Sequence, residues 1–352
     1  MTKLVKRLDL KEAYPKNAVN VQDMRVGPNY QDLLTEMMKK TTLLFDLCNS
    51  DTVHLPIDCL TKLAQIDQDS SLRVGGLVVP CLVQLYEAYH QDGMLEGEVI
   101  GLIKVWAGFR ENYEFKKTFL PAIERTVTEY HQALKNASPE SQLRSQTMAD
   151  EGVVKNMLQI LNAYLLANGS APDLRPFFQQ LIDQLLEILD CCQDIYTRVH
   201  ATRVLATLSG IATPLFILRK EATLKVLQKL LSPSFDQSSS VFVGQLLISF
   251  AEAGLIQAAD LQSVIVELLS EKFAAASSPS VLKGYALAVC YFMHQAPDRQ
   301  LAIFSQADPA QKVLDAWTTY QPVFAGTLAK CSTYLGLLKV FNLCLEVAQE
   351  LG

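Results

Sequence analysis

The chain has few of the residues that punctuate β-structure. Its 352 residues include only 16 Gly and 14 Pro, too few for the dense turns of a sandwich or barrel. Charge is also scarce, at 19% against about 25% in ordinary domains. Neither sign dominates: 31 basic and 37 acidic residues leave a net charge of −6, which argues against a nucleic-acid binder held by a broad basic surface. No apolar h-region opens the sequence, where Lys3, Lys6 and Arg7 interrupt single apolar residues, so no secretory signal is read. The longest apolar stretch, Val241 to Ala259, is broken by Gln245, Ser249, Glu252 and Gln257 and reads as a buried helix, not a membrane span. CxxC, HExxH, GxxxxGK[ST], GxGxxG and GxSxG are all missing, which removes the commonest metal, nucleotide and nucleophile signatures. No catalytic residue, cofactor or metal ligand is therefore expected, and the chain does not read as an enzyme.

What the chain has in plenty is apolar residues, 49% of it, enough for a large core. They recur at helical spacing. Leu34, Met37, Thr41, Leu44 and Cys48 step by three and four, as do Leu174, Phe178, Leu181, Leu185 and Ile188. Leu261, Ile265 and Leu268 do the same. Such stripes mark amphipathic helices that bury one face on neighbours. The reading is an all-α fold with helices near 29–48, 56–66, 71–91, 95–109, 118–134, 150–167, 174–190, 195–209, 214–231, 240–253, 258–275, 280–294, 298–306, 309–320 and 331–350.

Boundary residues support it. Pro28, Pro56, Pro121 and Pro176 suit helix starts, Asp173 and Asp194 suit N-caps, and Gly93, Gly169, Gly210 and Gly254 suit left-handed C-caps. The Gly93, Gly97 and Gly101 spacing reads as close helix packing or a helix start. Trp106 and Trp317 read as core. The eight Cys lie in apolar helical patterns and read as buried, reduced thiols of a cytoplasmic or nuclear protein. The vicinal Cys191-Cys192 reads as packing, not a redox pair, and His200 as a structural helix residue.

A repeat emerges from the order of the helices. Asp69-Ser-Ser-Leu-Arg73-Val74 recurs as Asp194-Ile-Tyr-Thr-Arg198-Val199, and more loosely as Pro279-Ser-Val-Leu-Lys283. The gaps fit units of about 42 residues, within the span of HEAT and armadillo arrays. The expected architecture is an α-α superhelix, a HEAT/armadillo-like solenoid of about eight helix pairs. It would occupy 29–352 as a single solenoid after an irregular segment 1–28, with polar insertions at 135–149 and 232–240. Within it, Asp67, Asp69, Arg73, Asp194 and Arg198 are candidates for a structural ladder: aspartates in turns and basic residues on the following helix, joining successive repeats by charge-assisted bonds.

Two stretches resemble a known family. One runs from Leu55-Pro-Ile-Asp-Cys-Leu-Thr-Lys-Leu-Ala-Gln-Ile-Asp67 through Val83-Gln-Leu-Tyr-Glu-Ala-Tyr-His90 to Leu102-Ile-Lys-Val-Trp106. The other is Val313-Leu-Asp-Ala-Trp317-Thr-Thr-Tyr-Gln-Pro-Val-Phe324-Ala-Gly326, then Lys330 and Gly336-Leu-Leu-Lys-Val-Phe341. Both resemble middle-to-late repeats of the importin-beta (karyopherin) superfamily, the second its importin-nine-like branch. The resemblance covers about a fifth of the chain. It implies a HEAT-repeat nuclear transport receptor, or part of one, that wraps protein cargo of basic character without catalysis and works in cytoplasm and nucleus. Ran GTPase would be a partner through N-terminal repeats of a longer parent, and no Ran contact is carried onto residues of this chain. Neither membrane nor nucleic acid is an expected partner. The other reading is a HEAT scaffold subunit outside transport. The last helix, apolar on every side from Tyr334 to Ala348, is expected to be covered by further repeats of a longer receptor, a second copy or a partner.

Overall fold

A computed structural model describes residues 28–136, 147–257 and 261–295, except 262–263, 266–267, 270 and 273–274. The expectations placed on 1–27, on most of the 135–149 insertion and on 296–352, including Trp317, the second importin-like stretch and the final helix, lie outside the described residues.

Among the described residues there is no strand, and thirteen α-helices follow one another. They are α1 (Pro28–Leu43), α2 (His54–Ile66), α3 (Gln68–Arg73), α4 (Gly75–Tyr89), α5 (Glu96–Ala107), α6 (Tyr113–Asn136) and α7 (Thr147–Asn168). Then come α8 (Arg175–Cys191), α9 (Ile195–Ile211), α10 (Thr213–Ile217), α11 (Lys220–Leu231), α12 (Val243–Glu252) and α13 (Pro279–Gln295). Positions 261, 264, 265, 268, 269, 271, 272 and 275 are helical as well. The helices come where the apolar period puts them, and the stripe Leu174, Phe178, Leu181, Leu185 and Ile188 is buried throughout.

The described residues form two compact units. One holds α1 to α5, α6 as far as Tyr130, and α7 through Ala171; the other holds the last six residues of α6 and everything from Pro172 on. In the first unit α2 packs on α5 and α5 on α7, making one row. α1 lies against α2, α3 and α4, and α4 against α5. The core between them holds Leu60, Leu63, Val78, Val99, Ile103 and Trp106, none more than 0% exposed. Each such side chain removes enough apolar surface to contribute about 1.5–3 kcal/mol. α6 joins α7 through the stacked rings of Phe115 and Tyr164, 5.8 Å apart. The second unit repeats the plan: α9 packs on α12 and α12 on α13, while α8 covers α9 and α11 covers α8.

Short side chains start these helices. Asp67 accepts the Ser70 N–H at 2.8 Å, Asp194 the Thr197 N–H at 2.5 Å, and Asp236 the Ser239 N–H at 2.9 Å. Each fills one of the orphan donors of a first turn. In the second unit the row has a constant step. Asp194 precedes α9, Asp236 precedes the 3₁₀ turn Ser238–Ser240 that leads into α12, and the Ser278 carbonyl accepts the Leu282 N–H in the first turn of α13. These three positions are 42 residues apart. What recurs is the helix start and not the cation: in this register Arg198 corresponds to Ser240 and Leu282, so Lys283 stands one residue off the position of Arg198. Likewise Asp67, not Asp69, is the counterpart of Asp194.

Several boundary expectations need correction. Pro121 lies inside α6, which begins at Tyr113, because Asn112 starts the helix earlier: its Oδ1 accepts the Phe115 N–H at 3.1 Å and its Nδ2 donates to the Trp106 carbonyl at 2.9 Å. Asp173 sits in a 3₁₀ turn, and the residue capping α8 is Leu174, without a side-chain bond. Of the four glycines read as left-handed caps only Gly254, at φ +76°, has that conformation, and Gly210 is inside α9. The helix expected at 71–91 breaks at Val74 ahead of Gly75 and Gly76, and that at 214–231 breaks at Leu218 and Arg219. The left-handed backbone that a glycine would favour falls instead at Glu111, φ 58°, where the Asn168 amide oxygen takes the Glu111 N–H at 2.9 Å.

Gly93, Gly97 and Gly101 do not mediate a close helix contact, since the space a Cβ would enter is open to 4 Å at all three. Gly97 lies in the first turn of α5, as the helix-start reading has it. The close approach is made by Gly244 of α12 and Gly284 of α13: a Cβ on Gly244 would lie 2.0 Å from the Gly284 carbonyl oxygen, and one on Gly284 would lie 3.2 Å from the Val241 oxygen. Backbone cannot swing aside as a side-chain tip can, so the row of the second unit closes only with glycine there. Gly244→Ala should cost at least about 2 kcal/mol in urea denaturation and Gly284→Ala about 1. Gly101→Ala, half-buried in a helix but with open space where its Cβ would go, should gain up to about 1 kcal/mol. A Gly244→Ala protein as stable as the parent would show that α12 and α13 do not approach as described.

Candidate functional site

The five ladder candidates occupy turns and helix starts. Asp67 spends its carboxylate on Ser70, taking both its N–H and its hydroxyl, and Asp194 spends its own on Thr197. Asp69 is exposed in the first turn of α3. Arg73 reaches back to α1, with Asp32 at 3.4 Å and Gln31 at 3.0 Å, and half its side chain stays in water. Arg198 is buried, at 6% exposure. It donates to the Cys192 carbonyl at 2.7 Å and to Gln193 Oε1 at 2.8 Å, and its guanidinium lies 5.2 Å from the centre of the Phe235 ring. So the structure does not bring the aspartates to the arginines. The aspartates order their own helices, and each arginine ties its helix to a different neighbour.

The charged links between helices that the sequence did not reveal join α8 to the α10–α11 segment. Arg219 grips Asp183 with two nitrogens, the second at 2.7 Å. Lys225 reaches Asp190 at 2.5 Å, and Lys229 donates to the Asp190 carbonyl. The Lys225 hydrogen bond outweighs partial burial and holds the Asp190 carboxyl below its ordinary value. These partners are 35–39 residues apart, close to one repeat, but no local motif marks them. In the first unit Glu96 of α5 accepts from Lys155 at 3.1 Å and Asn156 at 2.7 Å on α7. Desolvation would raise the Glu96 carboxyl, and those bonds together bring it down.

Among the described residues the expectation of buried thiols is met only in part. Cys59 and Cys192 are buried and Cys191 is exposed. Burial pushes the Cys81 thiol up to about 11, so it is not a thiolate near neutrality. Among the described residues no group of three His, Cys, Asp or Glu is placed to hold a metal ion, and no helix is long and apolar enough to cross a membrane.

Two grooves remain as candidate sites. In the first unit, a groove of about 640 Å³ runs between α2 and α5. Leu55, Ile57, Leu102 and Val105 supply its apolar lining, and Asp58 and Glu98 its charge; no Lys or Arg lines it. Leu55 is 48% exposed in it, and Gly101 leaves part of its wall without a side chain. Lys62, one turn along α2, pairs with Asp58 at 2.5 Å and neutralises it in part; Glu98 is exposed. In the second unit a groove of about 520 Å³ forms where α11 ends. Leu231, Pro233, Phe235, Leu268 and Tyr285 line it, with Lys272 among them. The first groove has carboxylates and no Lys or Arg in its lining, whereas the second sets Lys272 beside two carboxylates, Asp236 and Glu271.

No protein-family model matches the chain, and no curated protein matches it.

The different surroundings of the two arginines separate their effects. Arg73 has a long, solvated ion pair, worth about 0–0.5 kcal/mol. Removing Arg198 strands a buried carbonyl and the Gln193 amide and strips a cation from Phe235, a cost of about 2–4 kcal/mol. Urea denaturation of Arg73→Ala and Arg198→Ala should therefore give clearly unequal losses. Equal losses would mean that both arginines do the same structural work.

Proposed function

We propose that the chain is a non-catalytic, protein-binding scaffold of HEAT-type helix pairs, and that the α2–α5 groove takes a basic, partly apolar segment of its partner. The observation that carries this is the groove itself: apolar walls, two carboxylates and no cation in its lining. Apolar surface provides the driving force on burial, and the carboxylates steer and select a cationic partner. The even 42-residue step of helix starts in the second unit and the row-on-row packing in each unit support HEAT-type repeats. A superhelical solenoid is the arrangement such repeats build.

The sharper form of this reading is a nuclear transport receptor of importin-beta type, carrying basic cargo between cytoplasm and nucleus. It is supported by the resemblance of 55–106, whose Leu55–Asp67 and Leu102–Trp106 segments supply α2 and α5, the two sides of the groove. The second reading, a scaffold subunit outside transport, uses the same groove, and partner selection distinguishes them.

The test is binding of basic nuclear proteins, such as histones, against acidic proteins of similar size. Basic proteins should bind more tightly, and the preference should shrink as salt rises past the screening range. Glu98→Lys should weaken them about three- to tenfold, the effect of reversing one partly solvated charge, with the melting temperature unchanged. Equal affinity for acidic and basic proteins would sink the reading. Release of the bound protein by GTP-loaded but not GDP-loaded Ran would favour the transport form over the general scaffold, tested on the longest chain that carries these repeats.

A further inference from the structure

The groove of the second unit has a polar centre that the scaffold reading does not use. Lys272 comes from the helical positions around 271–275 and is half-buried among Leu231, Pro233, Phe235 and Leu268. Its ammonium lies 5.7 Å from the centre of the Phe235 ring and 3.4 Å from the Phe235 carbonyl oxygen. That distance is long for a charged donor, and it engages one of three N–H groups. Among the described residues no carboxylate comes within 4.0 Å of it.

The two carboxylates lining the groove are otherwise placed. Asp236 is held by the Ser239 N–H at 2.9 Å and the Ser239 hydroxyl at 3.1 Å. Glu271 is exposed, about a hundred degrees around the helix from its neighbour Lys272. Arg198 approaches the same Phe235 ring at 5.2 Å, and Ala275 and Ala276 of the lining lead straight into α13, a helix of 17 residues.

We propose that this groove is a second protein-binding site, centred on Lys272, which takes a linear segment of a partner that carries a carboxylate side chain beside an apolar one. The carboxylate meets Lys272, and the apolar side chain lies along Leu231, Pro233 and Phe235. A half-buried ammonium is short of hydration, and that desolvation holds Lys272 below the ordinary lysine value, against a smaller opposing pull from Asp236. An incoming carboxylate restores what the groove withholds. Lys272 is the one Lys or Arg among the residues lining the groove, so the site takes one carboxylate at a time, beside the apolar side chain that the rest of the lining receives.

Three labelled peptides test this by fluorescence anisotropy: one of alternating Leu and Glu, the same with Gln for Glu, and the same with Lys. The Glu peptide should bind at least about tenfold more tightly than the Gln peptide, the scale of one charge-assisted contact in a desolvated site, and the Lys peptide weakest. Lys272→Met keeps the apolar stem and should abolish the preference while melting at or above the parent; Lys272→Arg should keep it. Glu98→Lys, in the other groove, should leave it unchanged, so the two sites fail or survive separately. A ¹³C-methyl label on Lys272 gives a readout at the site, and its titration should move to higher pH when the Glu peptide is added. Equal binding of the Glu and Gln peptides, an unchanged preference in Lys272→Met, or a lysine signal indifferent to the peptide would each overturn the proposal. So would full competition by inorganic phosphate alone, which would mark a simple anion site, and so would no measurable binding of the Glu peptide.

Discussion

A helix of 10 to 17 residues, such as α12, α9 or α13, is marginal in water, because nucleation costs more than a few turns return. These helices persist because each buries its apolar stripe on neighbours along a row. α9 rests on α12 and α12 on α13, while α2 rests on α5 and α5 on α7. The stripe of each inner helix is therefore shared between two partners, and no helix in a row is stable on its own. This dependence explains why the tightest steric constraint lies at a helix–helix contact. Gly244 and Gly284 let two backbones meet where any side chain would hold them apart, and the row could not continue past α12 at that spacing without them.

Polar groups then fix where each helix begins and how the rows are held laterally. Asp67, Asn112, Asp194 and Asp236 each take an N–H three residues on, so the turns are defined by local hydrogen bonds and not by packing. The long-range charges do a different job. Asp183 and Asp190 on α8 are gripped by Arg219, Lys225 and Lys229, which ties the α10–α11 segment to α8. Arg198 belongs to neither class. It is a buried cation with Nε donating to a carbonyl, Nη2 donating to an amide oxygen, and the guanidinium against the Phe235 ring, the kind of partners a buried charge requires.

The grooves follow from the same packing. Between α2 and α5 Leu55 is left half in water while Leu102 is fully buried, and Asp58 and Glu98 line the same groove. Where α11 ends, the chain turns through Pro233–Gln237 before the next helix begins, and the turn leaves Phe235 and Lys272 facing a channel. Among the described residues neither groove holds three His, Cys, Asp or Glu placed for a metal ion. What they offer is apolar surface with a few charged groups: two carboxylates in the first, and one lysine beside two carboxylates in the second.

Much of this was legible without coordinates. Helix type and position follow from a period of three and four, which depends only on residues close in sequence; the stripe from Leu174 to Ile188 is an instance where every expected residue is buried. Asp194 as a cap was equally local. The repeat step near 42 was visible too, but it was attached to the wrong residues, because a basic residue stands out in a sequence more than a cap does. Tertiary structure alone decided the rest. That Asp194 does not meet Arg198, that Gly244 and not Gly101 lies against another backbone, and that Pro121 falls inside a helix all depend on which distant element comes near. The two grooves are of this kind as well: Leu55 and Glu98, or Phe235 and Lys272, stand about forty residues apart in the chain, and no local pattern in either segment records the other. Period and capping are properties of neighbours in sequence, whereas steric fit and a shared electric field arise only between residues that folding has brought together.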